Sequence, residues 1–421
     1  MKMTNSFKVA CLAAGLAASG SLLAAAPTLT TEVAVNKLEL PWDMAFLPNG
    51  TMFFTEKCRG LSVRLPSGTV NKLHGIGGST GYASSSADLF CDGQAGMMGV
   101  AIDPDFAKNR LIYVFSSSKL NDKLANRVMR FAIDEALTSV SGRTDIVSDI
   151  GYKPVATKHP FGGPGAHNGG RIRFSPADGF LYVTTGDNHN GSAPQSPTYI
   201  GGKVLRIDRD GKAAAGNKPP AGFDPRIFAY GFRNPQGIAF RPGDSMLFTA
   251  ENGPWHSDEV TAVTNGGNGG WDPRPNVGGR GDCPDNYCGY SPNQMGAMDP
   301  KDRSAFMPMT DLKTYPNAMK PAWNNNGLSQ GMFCNDFLSG KQWKDWDGQM
   351  VVGYTGIGIH GTPVGNRLDI LKISADGQSA TAVQASWPTA TGRFRSAVQG
   401  PDGNLYVALE DQGVIYRVKP E

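Results

Sequence analysis

The chain has 421 residues, with 40 Lys and Arg against 37 Asp and Glu and a formal net charge of +3. That balance is too even for a nucleic-acid footprint, and no apolar run beyond the first residues is long enough to cross a bilayer, which takes about 20 residues. Gly at 54 residues and Pro at 29 supply the turn chemistry of many short strands, and no heptad or sustained helical face points to an α fold. At roughly 150 residues per domain the length allows two or three domains, but a propeller adds blades around a single axis and escapes that rule.

In chain order, residues 1–26 read as a secretory signal. Lys2 and Lys8 make a basic start, residues 9–18 are small and apolar, and Ala24-Ala25-Ala26 offers a cleavage site. Gly15, Ser19, Gly20 and Ser21 break the run too early for a membrane anchor. Cys11 lacks a lipobox, because Lys8 stands where an apolar residue is required. The expected mature protein is a single domain, residues 27–421, periplasmic or secreted, with a net charge of about +1 once the two leader lysines are gone. Its five cysteines are Cys58, Cys91, Cys283, Cys288 and Cys334. An oxidising compartment favours pairs and an odd count leaves one over. Cys283 and Cys288 could staple a loop and Cys58 could pair with Cys91, although connectivity is not set by sequence. No C-x-x-C-H attaches a haem, and no Cys/His spacing fits zinc.

Two phrases then recur. The first is strand, Pro-containing turn, strand: MAFLPNGTMFFTE from Met44, GVAIDPDFAKNRLIYVFS from Gly99, RIRFSPADGFLYVTTGD from Arg171, GIAFRPGDSMLFTAE from Gly237 and SAVQGPDGNLYVALED from Ser396. The second is a short strand that begins at Leu61, Arg127, Lys203, Glu259, Leu368 and Gly413, with spacings of 66, 76, 56, 109 and 45 residues. Six loose repeats predict an all-β, six-bladed β-propeller of four-stranded antiparallel blades. The 109-residue gap holds a long insertion around residues 272–340, rich in Asn, Pro, Gly and Cys, after which GQMVVGYTGIGI from Gly348 is expected to supply the next inner strand. TEVAVNKLELPW from Thr31 is expected to complete the last blade and close the ring. A pair of β-sandwiches would also repeat strands, but not in this paired order.

A propeller gathers the loops beside its inner strands at one mouth of the channel, so distant motifs can share a site. Four loops are too polar or too glycine-rich for plain turns: DGQAGMMG around Gln94, AHNGGR around His167, GFRNPQG around Arg233 and NGPWHSDE around Gly253. His167 precedes the strand RIRF, and Asp187 ends the strand paired with it. The hairpin should bring the carboxylate to the imidazole, fixing its tautomer for general-base work. Gly165, Gly169 and Gly170 leave room for a ligand against the backbone. Asn252-Gly253-Pro254 presents backbone carbonyls of the kind hard cations such as calcium accept, with Asp258 and Glu259 placed to brace this loop or hold another ion. Arg393 and Arg395 lie two apart, on one side of a strand, as a fork for carboxylates would.

In order and over nearly the whole mature chain, GQAGMMGVAIDPDF, HNGGRIRF, GFRNPQGIAF, ENGPWHSDEV and RFRSAVQGPDG resemble phrases of the soluble pyrroloquinoline-quinone-dependent glucose and sorbosone dehydrogenase family. The resemblance implies a pyrroloquinoline quinone (PQQ) cofactor and calcium, with an aldose or sugar aldehyde oxidised to a lactone or acid and electrons passed to an external acceptor such as a periplasmic cytochrome or quinone. It implies His167 as base, Asp187 as its holder and Arg233 beside the reacting quinone oxygen. Gln94, Arg233, Asn252, Arg393 and Arg395 would bind the cofactor, and the carbonyls of Gly253 and Pro254 the calcium.

The chain departs from the family in three places. Ala166 precedes the base where an acidic residue is frequent, and Asn252 replaces a longer amide. GYTGIGIHGTPVGNR lacks the lysine that glucose-type members use for the cofactor, leaving His360 or Arg367 as substitutes. The substrate therefore stays open between glucose, sorbosone and other aldoses or aldehydes. A calcium-dependent lactonase on a similar propeller would hold its metal through side chains and need no arginine pair. A non-catalytic propeller binding protein or glycan would need no His167, Asp187 and Arg233 together.

Overall fold

A computed structural model describes residues 26–153, 165–273, 299–356 and 365–421. Six sheets form the blades of a propeller. Their inner strands are Pro41–Phe46, Met97–Ile102, Gly169–Phe174, Pro235–Phe240, Met332–Phe337 and Phe394–Gln399, which number blades 1 to 6. Each pairs antiparallel with the strand that follows it, across the Pro-containing turns of the repeat in every blade but the fifth, where residues 338–349 make the connection. The second phrase forms the third strand of every blade, as in Lys203–Ile207 and Leu368–Ile373. Leu29–Val35 adds to Val414–Pro420 and closes blade 6, so the N-terminal segment completes the ring.

Two details differ from the sequence expectation. Blades 1 and 3 carry a fifth, short strand, because the chain leaving the outer edge turns back and pairs in parallel at His74–Ser84 and Ala229–Gly267. The inner strand of blade 5 is Met332–Phe337, not the Gly348 segment, whose Met350–Tyr354 is the second strand. The insertion therefore ends earlier than residue 340. It contains the short helix Pro300–Phe306, capped by Asp299, and gives Trp323–Asn324 to the edge of blade 4. The Met332 strand is masked in the sequence because Asn335 and Asp336 interrupt its apolar pattern.

The apolar core is a ring of wedges between blades. Phe53 and Leu61 of blade 1 pack on Val100 and Ile112 of blade 2, and Phe115 and Val128 on Ile172 and Leu181. Equivalent clusters join blades 3 and 4, 4 and 5, 5 and 6, and 6 and 1. The axis itself is polar. Arg171, buried in the inner strand of blade 3, stacks on Trp42 at 4.3 Å and donates to Asp43 Oδ1 at 2.5 Å. It also donates to Ser396 Oγ and to the carbonyls of Gln236, Phe333 and Arg395. Asp43 takes two more bonds from Arg173, at 2.7 Å each, and one from the Val100 N–H. Burial alone would raise the Asp43 carboxyl, but Arg171 and Arg173 outweigh it and hold it below its usual range. This network ties all six blades and plugs the channel. Beyond it, at the end opposite the polar loops, lies a cavity of about 320 Å³ lined by Met44, Phe46, Arg173, Phe240 and Asp336.

Candidate active site

All six inner strands begin at the same mouth, so the residues just before them converge with those that follow the second strands. His167 occupies that position in blade 3 and sits in the left-handed region at φ 55°. The conformation is possible because Gly186 faces it: a Cβ there would stand 2.1 Å from the His167 carbonyl oxygen. The His167 N–H donates to Gln94 Oε1 at 3.2 Å, and its Nδ1 meets Asp187 Oδ1 at 2.7 Å. Asp187, fully buried, takes a second bond on Oδ2 from Trp271 Nε1 at 2.9 Å. Its own N–H donates to the Arg233 carbonyl at 2.7 Å. Arg233 Nη1 in turn donates to the Asn252 carbonyl at 2.7 Å. Gln94, His167, Asp187, Arg233 and Asn252 thus form one unbroken chain of contacts across the loops of blades 2, 3 and 4.

The Gly253–Pro254 loop follows directly. Asp258 is spent on bracing it, accepting from the N–H groups of Gly253 at 2.9 Å and Gln330 at 2.7 Å and from Ser329 Oγ. Glu259 accepts from Thr310 and Asn324, both at 2.8 Å, so it ties the insertion to blade 4 rather than facing the mouth as a metal ligand. Among the described residues no group of three His, Cys, Asp or Glu side chains could hold a metal ion. The carbonyls remain suitable donors. Gly253 O takes one N–H, from Trp255 at 3.0 Å, and the buried Pro254 carbonyl accepts no hydrogen bond among the described residues. This oxygen donor set fits a hard cation such as calcium.

Arg393 and Arg395 both reach Glu410, as their shared face predicts. Arg393 Nε lies 3.8 Å from Oε1, and Arg395 bonds to Oε2. Their availability differs. Arg395 is buried, also donates to Gln236 Oε1 at 2.9 Å and stacks on Phe333 at 4.6 Å, whereas the Arg393 side chain is 38% exposed. Arg367, one expected substitute for the absent lysine, pairs with both oxygens of Asp369, at 2.8 and 2.9 Å, and with Gln330. His360 and the Cys283–Cys288 pair lie outside the described residues. Cys58 and Cys91 are disulfide-bonded, and Cys334 is a buried free thiol.

Four site residues escape sequence reasoning. His189 places Nε2 at 2.8 Å from His167 Nε2, Trp271 clamps Asp187, and Lys57 and Glu410 join the arginines. Position after a second strand is the signal that could have found Lys57, His189 and Glu410; Trp271 follows the short fifth strand of blade 3, just before the insertion, and carries none. Burial, with His167 and then Arg233 and Lys153 adding to it and Asp187 opposing, holds His189 well below the usual histidine range. Behind this loop Lys203 donates to the carbonyls of Ala193, Pro194 and Gly201. Its burial pushes the ammonium down to about 7.

Fold and site together define a class, a six-bladed propeller that presents a carboxylate-held histidine and several arginines at one channel mouth. The chain belongs to the Glucose / Sorbosone dehydrogenase family, whose profile matches residues 38–417. It is 26% identical over 406 residues to the aldose sugar dehydrogenase YliI of Escherichia coli K12, covering 96% of each chain. Quinoprotein glucose dehydrogenase B of Acinetobacter calcoaceticus is 29% identical over 289 residues, 62% of this chain and 55% of that one. In structure the chain resembles the apo soluble aldose sugar dehydrogenase of E. coli, with TM-score 0.72, 24% identity, and 94% and 100% of the two chains covered. It also resembles the PQQ-bound aldose sugar dehydrogenase of Streptomyces coelicolor, with TM-score 0.65, 22% identity, and 94% and 100% covered.

Proposed function

We propose that the protein oxidises an aldose or related sugar aldehyde to a lactone or acid, dependent on PQQ and calcium, with His167 as general base. The observation that carries this reading is the 2.7 Å contact between His167 Nδ1 and Asp187 Oδ1 at the mouth shared with Gln94 and Arg233. Asp187 accepts a hydrogen bond from Nδ1–H, and the Nε2 lone pair, which meets His189 Nε2 at 2.8 Å, takes the proton of the anomeric hydroxyl once the substrate replaces that contact. The C1 hydrogen leaves as hydride, and bound PQQ supplies the acceptor for it. Arg233, held by the Asn252 carbonyl, offers positive charge where negative charge develops. Gln94, Asn252, Arg393 and Arg395 line the cofactor position, and the Gly253 and Pro254 carbonyls would hold the calcium. The electrons then pass to an external acceptor.

Cleavage after residue 26 and export to the periplasm or beyond complete the proposal, in keeping with the Cys58–Cys91 disulfide. No helix among the described residues is long and apolar enough to cross a membrane. Reconstitution of apo-protein with PQQ and calcium, followed by dye reduction across a panel of aldoses and sugar aldehydes, tests the reading. Sugar-dependent turnover that needs both additions is the expected result. A calcium-dependent lactonase would instead hydrolyse lactones without PQQ.

A further inference from the structure

Lys57 follows the second strand of blade 1, Met52–Glu56, and so enters the same mouth as Asp187, Asn252 and Glu410. Its backbone is fixed on both sides, N–H to the Leu40 carbonyl and carbonyl to the Met97 N–H, each at 2.9 Å. The Cys58–Cys91 disulfide ties the residue after it to the loop that carries Gly93 and Gln94. Gly96 makes room for the stem, since a Cβ there would lie 2.5 Å from Lys57 Cγ. The side chain ends with Nζ donating to the Gly93 carbonyl at 2.8 Å, one residue from Gln94.

An ammonium has three donors, and that carbonyl uses one. No carboxylate lies within ion-pair distance of Nζ among the described residues; the anion it feels most is Glu410, whose oxygens already face Arg395 and Arg393. Lys57, Arg393 and Arg395 therefore bring three positive charges to one carboxylate, with Lys57, Arg395 and Glu410 all at least nine-tenths buried. A surplus of like charge in a desolvated place is costly until an anion enters. Burial first, then the two arginines, depress the basicity of Lys57, as a cation short of a counter-ion requires.

We propose that Lys57 is an anion-binding residue of this mouth and takes one carboxylate of a polycarboxylic acid. The inference deepens the quinone reading and rests on it for the identity of the ligand, PQQ being a tricarboxylic acid. It gives the charge role expected of Arg367 or His360 to a residue four blades away in sequence.

The test is titration of apo-protein with PQQ, followed by fluorescence quenching, for the wild type, Lys57→Gln and Lys57→Arg, each first shown to melt cooperatively. Gln keeps a donor for the Gly93 carbonyl without the charge, and Arg keeps the charge. Because hydrogen bonds to charged groups contribute a few kcal/mol, Lys57→Gln should raise the PQQ Kd about 10- to 100-fold and Lys57→Arg only about 3-fold. An unchanged Kd in Lys57→Gln overturns the proposal. If the wild type itself binds no PQQ, the quinone reading fails, and citrate becomes the probe. A citrate-induced rise in Tm present in the wild type and lost in Lys57→Gln then supports Lys57 as a polycarboxylate ligand, and no citrate effect in the wild type overturns it.

Discussion

His167 and His189 meet nitrogen to nitrogen, Nε2 to Nε2 at 2.8 Å, with their rings 79° apart. One of the two must carry the shared proton. Asp187 accepts a hydrogen bond from the Nδ1–H of His167, and burial keeps His189 neutral at pH 7. The arrangement that satisfies all three groups protonates His189 at Nε2 and leaves His167 Nε2 as acceptor. Nitrogen-15 NMR of the apo-protein at pH 7 should show that tautomer. A His167 protonated at Nε2 would remove it as a base in the resting state.

The left-handed backbone at His167 dictates which substitution can test its chemistry. Asn tolerates φ 55° better than Ala, so His167→Asn keeps the turn while deleting the imidazole. Sugar oxidation by the reconstituted protein should fall by about 10²- to 10⁴-fold in kcat, the usual contribution of a positioned acid–base group. PQQ affinity should hold. Undiminished kcat would exclude His167 as base.

The axial network makes a separate, structural prediction. Arg171→Met removes a buried charge that Asp43 and carbonyls from three other blades depend on. Breaking a buried ion pair from one side typically costs about 3–5 kcal/mol. Urea unfolding should show a loss of that order, and a loss below about 1 kcal/mol would mean that the plug is incidental to stability.

On the outer side of blade 1, His74 is buried between Ser84 Oγ at 2.8 Å and Ser86 Oγ at 2.9 Å. Burial first, then Arg143, lower its pKa to about 4, with Asp88 opposing. The unfolded chain binds a proton near pH 6.5 and the folded one only near 4, so stability is lost as pH falls through that window. A shift of this size corresponds to a loss on the order of 3 kcal/mol. His74→Asn should flatten the pH dependence between 4 and 7. Parallel curves for wild type and variant would show that another group titrates there.

The six-bladed architecture was legible because five blades repeat the same local grammar, an apolar strand, a Pro-bearing turn and a second apolar strand, and all six repeat the short third strand. Met332–Phe337 was missed because Asn335 and Asp336 belong to an inner strand whose polar side chains serve inter-blade and axial contacts. The site was legible in part for a related reason. His167, Asp187, Arg233 and Gln94 sit at strand ends with polar, glycine-rich flanks, which mark them as more than turns.

By itself, the sequence determined the all-β repeat, the ring closure by the N-terminal segment and the hairpin that joins His167 to Asp187. Each follows from hydrophobic alternation and turn residues, which act over a few neighbours. Only the tertiary structure decided that Arg367 pairs with Asp369, that Arg393 and Arg395 share Glu410, and that Lys57 has no carboxylate within ion-pair distance among the described residues. It alone brought Trp271 and His189 against the Asp187–His167 pair. Those outcomes depend on which charges face one another across blades tens to hundreds of residues apart, and Coulomb interactions follow distance in space rather than distance along the chain.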